Sequence, residues 1–215
     1  MNSRPNLLAG ENLPSAPKQK RSLEKLARLK SAGLVLFGEK GYEKTSIHEI
    51  AERANLAVGS FYQHFRSKRQ LLLTLMDDLL QGLSQLDLGA KAFSDVRNSI
   101  RELLGRAFSR DLQYLGAYRA WSEASLADAE LGQKQREIQE WTSSRARALF
   151  EHLQRMPGAR PGVDISTLAW VMDKFFWSLL AQALQMPSKE LDRWIDSSTH
   201  LIYHALFTDP HNAGK

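Results

Sequence analysis

The 215-residue sequence contains no cysteine, so neither a disulfide framework nor a thiolate metal site can hold it together. Near its start no basic segment leads into an apolar stretch and a small-residue cleavage site, so no secretory signal is read and a cytoplasmic location is expected. An uncharged apolar run of membrane length is missing as well. The longest apolar stretch, 165–184, would span a bilayer, but Asp173 and Lys174 interrupt its middle, and it reads as a buried helix. Catalytic and cofactor signatures are lacking too: there is no Gly-rich phosphate loop after a strand, no G-x-S-x-G elbow and no H-E-x-x-H. His200 and His204 share a helix face at i and i+4, yet no third ligand stands beside them, and Asp196 lies one turn upstream. The expectation is therefore no metal, no cofactor and no enzyme.

What is present is the composition of a globular protein, 43% apolar and 25% charged. The net charge of +5 is unevenly placed. Between Lys18 and Gln70 twelve Lys and Arg face five Glu, a balance of +7, so the remainder of the chain carries −2. A basic front segment fits either a solvated face or a polyanion-binding module, and charge alone does not separate the two.

No stretch alternates as a half-buried strand does, while helical spacing recurs along almost the whole length, so an all-α protein is expected. Residues 1–19, with Pro5, Gly10, Pro14 and Pro17, read as a disordered arm. A first helix through Leu26, Leu29, Leu36 and Phe37 stops at Gly41. Ser46 and Glu49 have capping-box spacing for a second helix, with Thr45 as an alternative cap. Asn55 is placed to end that helix in a left-handed conformation. A third short helix then sets Phe61 and Phe65 on one face, and Ser67 with Gln70 opens a fourth. Two short helices joined by a tight turn have the dimensions of a helix-turn-helix, whose second helix enters the major groove of DNA.

The run Leu36-Phe37-x-x-x-Gly41-Tyr42, then Thr45-Ser46-x-x-x-Ile50-Ala51, then Gly59-Ser60-Phe61-Tyr62-x-His64-Phe65-x-Ser67-Lys68 resembles the DNA-binding signature of the TetR (tetracycline-repressor-like) family. That resemblance implies a three-helix DNA-binding domain over 20–66, followed by a helical ligand-binding and dimerisation domain over 67–210. It implies DNA contacts at Thr45, Ala57, Val58, Gly59, Ser60, Tyr62, His64 and Lys68. It further implies a homodimer on double-stranded operator DNA, most simply a repressor, released by a small-molecule effector. Two departures from the family pattern bear on DNA contacts. Ala57 replaces the usual serine and Val58 the usual lysine, which removes two phosphate contacts, although Val58 could instead meet a thymine methyl. Asn55 stands where a glycine is usual.

The rest of the chain resembles the family only as a helical domain of suitable length. Trp121, Trp141, Trp170, Phe176 and Trp177 fall on three helices and suit either core or ligand pocket. Glu123, Arg145 and Asp173 lie among them and could orient a largely apolar or aromatic ligand, pair with each other or face water. Leu191, Ile195, Leu201 and Ile202 are the expected dimer contacts, because a pair of strongly apolar helices has more surface to bury than one small domain accommodates. Two rivals share these features: a constitutive DNA binder with a filled second domain, and an enzyme using the helical cavity.

Overall fold

The computed structural model describes residues 3–85, 95–183 and 188–208. Within them the chain forms α1 (Lys20–Lys40), α2 (Ile47–Arg53), α3 (Val58–Tyr62), α4 (Lys68–Ser84) and α5 (Val96–Asp111). A 3-10 turn (Leu112–Tyr114) leads into α6 (Leu115–Ala127), followed by α7 (Ala129–Gln154), α8 (Ile165–Ala183) and α9 (Ser188–Leu206). No strand occurs among the described residues; the one β-type pairing is an isolated antiparallel bridge between Ala159 and Phe207. No described helix is long and apolar enough to cross a membrane. The chain divides into two compact units. One joins Arg4–Ser84 to Asp111–Arg136, and the other joins Met1–Ser3, Gln85–Arg110 and Glu137–Lys215.

In the N-terminal unit the apolar stripes of α1, α2 and α3 meet at Leu29, Phe37, Ile50, Ala51, Phe61 and Phe65, all buried. Alone this cluster is small. Leu71, Leu72, Leu75 and Leu79 of α4, with Leu115, Ala117, Ala120 and Trp121 of α6, extend it, and burying that many aliphatic and aromatic side chains is what makes so short a three-helix motif stable. The compact unit thus passes the expected boundary at residue 66 and takes in α4, α6 and the start of α7.

The expected disordered arm, 1–19, is also different. Leu7 is fully buried, Arg4 pairs with Asp77 at 2.6 Å, and Glu11 pairs with Arg69 and accepts from Gln70 Nε2 at 3.1 Å. Pro5 and Gly10 exclude a regular helix from this segment, but they do not prevent an irregular chain with one apolar anchor from packing. Arg69 also pairs with Asp128 and Glu130, which ties the arm, α4 and the α6–α7 junction to one guanidinium.

The second unit builds its core from Ile100 of α5, Phe150 and Leu153 of α7, Ile165 and Ala169 of α8, and Ile202, Leu206 and Phe207 at the end of α9. The loop after α7 is stitched to that end: Arg160 N–H donates to Leu206 O at 2.7 Å and its Nε to Phe207 O at 3.0 Å.

Candidate functional site

Ser46 caps α2. Its Oγ accepts from Glu49 N–H at 3.2 Å while the Glu49 carboxylate accepts from Ser46 N–H at 2.9 Å. Lys40 adds an ion pair to Glu49, and that bond, followed by those from Ser46, pulls the carboxyl down to about 2. At the other end of α2, Asn55 adopts φ 51°, the left-handed conformation its short polar side chain tolerates. Arg28 of α1 donates to Asn55 O at 2.8 Å and braces the turn.

α3 follows with an open face. Ala57 has no side-chain oxygen to cap it, and nothing crowds the space beside Gly59. Tyr62 is 52% exposed, its ring edge-on to the buried Phe61 at 5.7 Å. Ala57, Val58, Gly59, Ser60 and Tyr62 therefore sit together at the cap and along one short helix, with Arg66 exposed four residues on and Lys44 exposed ahead of α2. A surface with small residues at its start, a phenol one turn later and cations around it can approach a phosphate backbone closely and reach base edges.

Three of the expected DNA-contacting residues lie elsewhere. Thr45 is only 2% exposed, and its hydroxyl donates to Gly41 O at 2.7 Å, because Ser46 one position later takes the capping role. His64 is 7% exposed; α3 ends at Tyr62, and the turn that follows directs the imidazole inward, where its Nε2 finds no hydrogen-bond partner. Burial, then the charge of Lys25, lowers its pKa. Lys68 donates through Nζ to Tyr42 O at 2.6 Å and stands 4.2 Å from the Tyr42 ring centre, so its ammonium is bound by the turn after α1.

The expected ligand set divides between the two units. Trp121 belongs to the N-terminal core, with its Nε1 donating to Gln135 Oε1 at 2.6 Å. Glu123 faces no ligand space: its carboxylate accepts from Tyr42 N–H at 2.7 Å and from Glu43 N–H at 3.1 Å. No local signal marks this role, since its partners are some eighty residues away in sequence.

In the second unit Trp170 is 57% exposed with Lys174 above its ring, so it lines no interior. Trp141, Asp173 and Trp177 are buried, and Phe176 lies against Phe108 at 5.0 Å and Trp177 at 6.1 Å. Trp177 Nε1 reaches Thr142 Oγ1 at 3.5 Å, and the Arg145 guanidinium stacks 5.3 Å from the Trp141 ring centre. Burial raises the pKa of Asp173, opposed by hydrogen bonding to Thr142 and by the charge of Lys174, and lowers that of Arg145. An aromatic wall holding a buried carboxyl results.

Of the expected dimer contacts, Ile195 and Ile202 are buried within their own protomer, Ile202 in the core with Ile100 and Phe150. Leu191 is half-buried and Leu201 is exposed. The large apolar residues that α8 and α9 leave to solvent are Leu201 together with Trp170, Val171 and Phe175. His200 and His204 have ring centres 4.1 Å apart, and no group of three metal-binding side chains occurs among the described residues.

A capped α2, a left-handed turn and an open α3 on a shared core define a helix-turn-helix of the DNA-binding class. Residues 29–75 match the profile described as bacterial regulatory proteins, tetR family. That match runs from Leu29 in α1 to Leu75 in α4 and takes in the whole helix-turn-helix. The chain is 27% identical over 134 residues to the A-factor receptor protein of Streptomyces griseus, covering 56% of this chain and 49% of that one. It is 33% identical over 70 residues to the transcriptional repressor KstR2 of Mycolicibacterium smegmatis, covering 33% and 32%. The chain thus spans about half the length, or less, of these relatives. A crystal structure of a TetR family transcriptional regulator from Pseudomonas syringae superposes with a TM-score of 0.59 at 22% identity, over 90% of this chain and 100% of that one.

Proposed function

We propose that the protein is an effector-responsive transcriptional repressor that binds a pseudo-palindromic operator as a homodimer. The observation that carries this reading is the start and outer face of α3, where Ala57, Gly59 and Tyr62 are exposed and Val58 and Ser60 half-buried, presented by the capped α2 and its left-handed turn. Such a face suits the major groove, where Tyr62 supplies a hydroxyl and Val58 an apolar contact for a thymine methyl. Relatives named as a receptor and as a repressor support the two further parts of the reading.

The effector is a largely apolar or aromatic molecule held in the second unit, where Trp141, Phe176 and Trp177 offer flat apolar surface and Asp173 a buried polar anchor. Exposed Trp170, Val171, Phe175 and Leu201 of α8 and α9 support a second copy as partner, which would take these large apolar side chains out of water.

Selecting duplexes from a randomised pool and titrating the winners in a salt series tests the reading. A pseudo-palindrome with half-sites about 34 Å apart, or a multiple of a DNA turn, is expected, with affinity falling steeply as salt rises. Recovery of no preferred sequence would remove the operator from the proposal.

A further inference from the structure

The backbone of the turn between α1 and α2 is gripped from two sides. Tyr42 and Glu43 together present two N–H and two C=O groups, and side chains from distant helices meet all four. Glu123 of α6 accepts both N–H groups, at 2.7 and 3.1 Å, while Lys68 at the start of α4 donates to both carbonyls, at 2.6 and 3.4 Å. Gly41 makes the grip possible. It adopts φ 80°, and a β-carbon there would collide with the Glu123 carboxylate, lying 3.4 Å from its Cδ. Two neighbouring contacts hold α6 in place: Arg119 donates to Gly38 O at 2.6 Å, and Gly116 packs directly on the α1 backbone.

We infer that Glu123 and Lys68 form a two-sided clamp on the Tyr42–Glu43 turn, and that Lys68 serves operator binding as a positioning residue acting through this turn rather than as a phosphate contact. This rests on reading the unit as DNA-binding. The turn fixes where α2 begins: Thr45 is anchored back to Gly41 and Leu36, and Ser46 caps α2 directly afterwards. α3 follows α2 through a single tight turn, so a shift at Tyr42 and Glu43 moves the whole DNA-facing surface. A carboxylate accepting two N–H groups and an ammonium donating to two carbonyls are stronger than neutral bonds and complementary in sign along one dipeptide. Losing either side lowers the fraction of molecules in the binding-competent arrangement, and apparent affinity falls by that fraction.

The experiment measures Kd and the salt slope of Glu123→Ala, Glu123→Gln, Lys68→Met and the Glu123→Ala/Lys68→Met pair on the duplex selected by the wild type. The concentration of binding-competent protein is fixed by stoichiometric titration. Glu123→Ala is expected to weaken binding about ten-fold or more, with Glu123→Gln recovering part of it because its carbonyl still accepts one N–H. Lys68→Met keeps the aliphatic stem on Tyr42; it should weaken binding while changing the slope by well under the ~0.9 per protomer that one lost phosphate contact removes. The double variant should lose less than the sum of the singles, since both act on one turn.

A full unit of slope lost per protomer in Lys68→Met would make Lys68 a phosphate contact and overturn the inference. So would a Glu123→Ala protein that has fewer competent molecules but an unchanged Kd, which is the mark of a purely structural residue. If the wild type selects no duplex, the operator reading falls, and amide exchange still judges the clamp. Protection at Tyr42 and Glu43 lost in Glu123→Ala supports it, and unchanged protection overturns it.

Discussion

Gly116 of α6 rests on the backbone carbonyl of Leu34 in α1 with no room between them for a methyl group. A β-carbon at Gly116 would overlap Leu34 O and lie 2.8 Å from the carbonyl carbon and 2.9 Å from Gly38 N. Backbone on both sides leaves nothing flexible to yield. Gly116→Ala should therefore push α6 away from α1 and cost about 1–3 kcal/mol, despite the higher helix propensity of alanine. Thermal unfolding checks this; a stabilised variant would mean that the two helices pack more loosely than described.

Leu7 predicts a role for the first residues of the chain. It is fully buried, between the Arg4–Asp77 and Glu11–Arg69 pairs. Leu7→Ala should destabilise the N-terminal unit by about 2 kcal/mol or more, whereas Arg4→Ala, at a partly exposed pair, should cost less than about 1 kcal/mol. Urea unfolding distinguishes the two, and equal small effects would return this segment to the solvent.

His64 gives a pH dependence. Its pKa in the folded chain is lowered, chiefly by burial, from an ordinary value near 6.5. Between those two values the unfolded chain binds more protons than the folded one. The stability associated with a neutral His64 is thus complete above about pH 6.5 and is lost as pH falls through the folded value. Melting temperatures from about pH 7.5 to about pH 5 should decline more steeply for the wild type than for His64→Gln, and parallel curves would refute the assignment.

For assembly, the exposed residues of α8 and α9 make the prediction. A charge placed on that surface should prevent pairing, so Phe175→Glu and Leu201→Asp are expected to be monomeric by light scattering at concentrations where the wild type is a dimer. Ile202→Ala should instead lower thermal stability, because Ile202 lies in the core of its own protomer. A monomeric wild type would remove the interface.

Most of the architecture was legible because its signals are local. The helical stripe of α1, the Ser46–Glu49 box and the left-handed Asn55 each lie within a few residues of sequence, and each is where periodicity and capping chemistry place it. What could not be read locally has a different cause. Glu123 and Lys68 bond to groups twenty-five to eighty-one residues away and Leu7 is buried from an irregular segment, so only the packed chain places them. Thr45 and His64 followed from a family pattern that specifies residue type but not which way a side chain turns. Among the tryptophans, composition could not distinguish Trp121, sealed in the core, from Trp170, open to solvent.

Asn55 bears on how such a sequence drifts. Its left-handed backbone, with a carbonyl held by Arg28, asks of the side chain only that it be absent or short and polar. In the genetic code asparagine and glycine are not neighbours, but aspartate is one base change from each, and aspartate is likewise enriched in this conformation. Exchange between Asn and Gly at this turn therefore has a permitted intermediate, while threonine and isoleucine, the β-branched neighbours of asparagine, are disfavoured at a positive φ. Descendants of this gene should wander among these three residues at position 55 without disturbing the angle at which the next helix leaves.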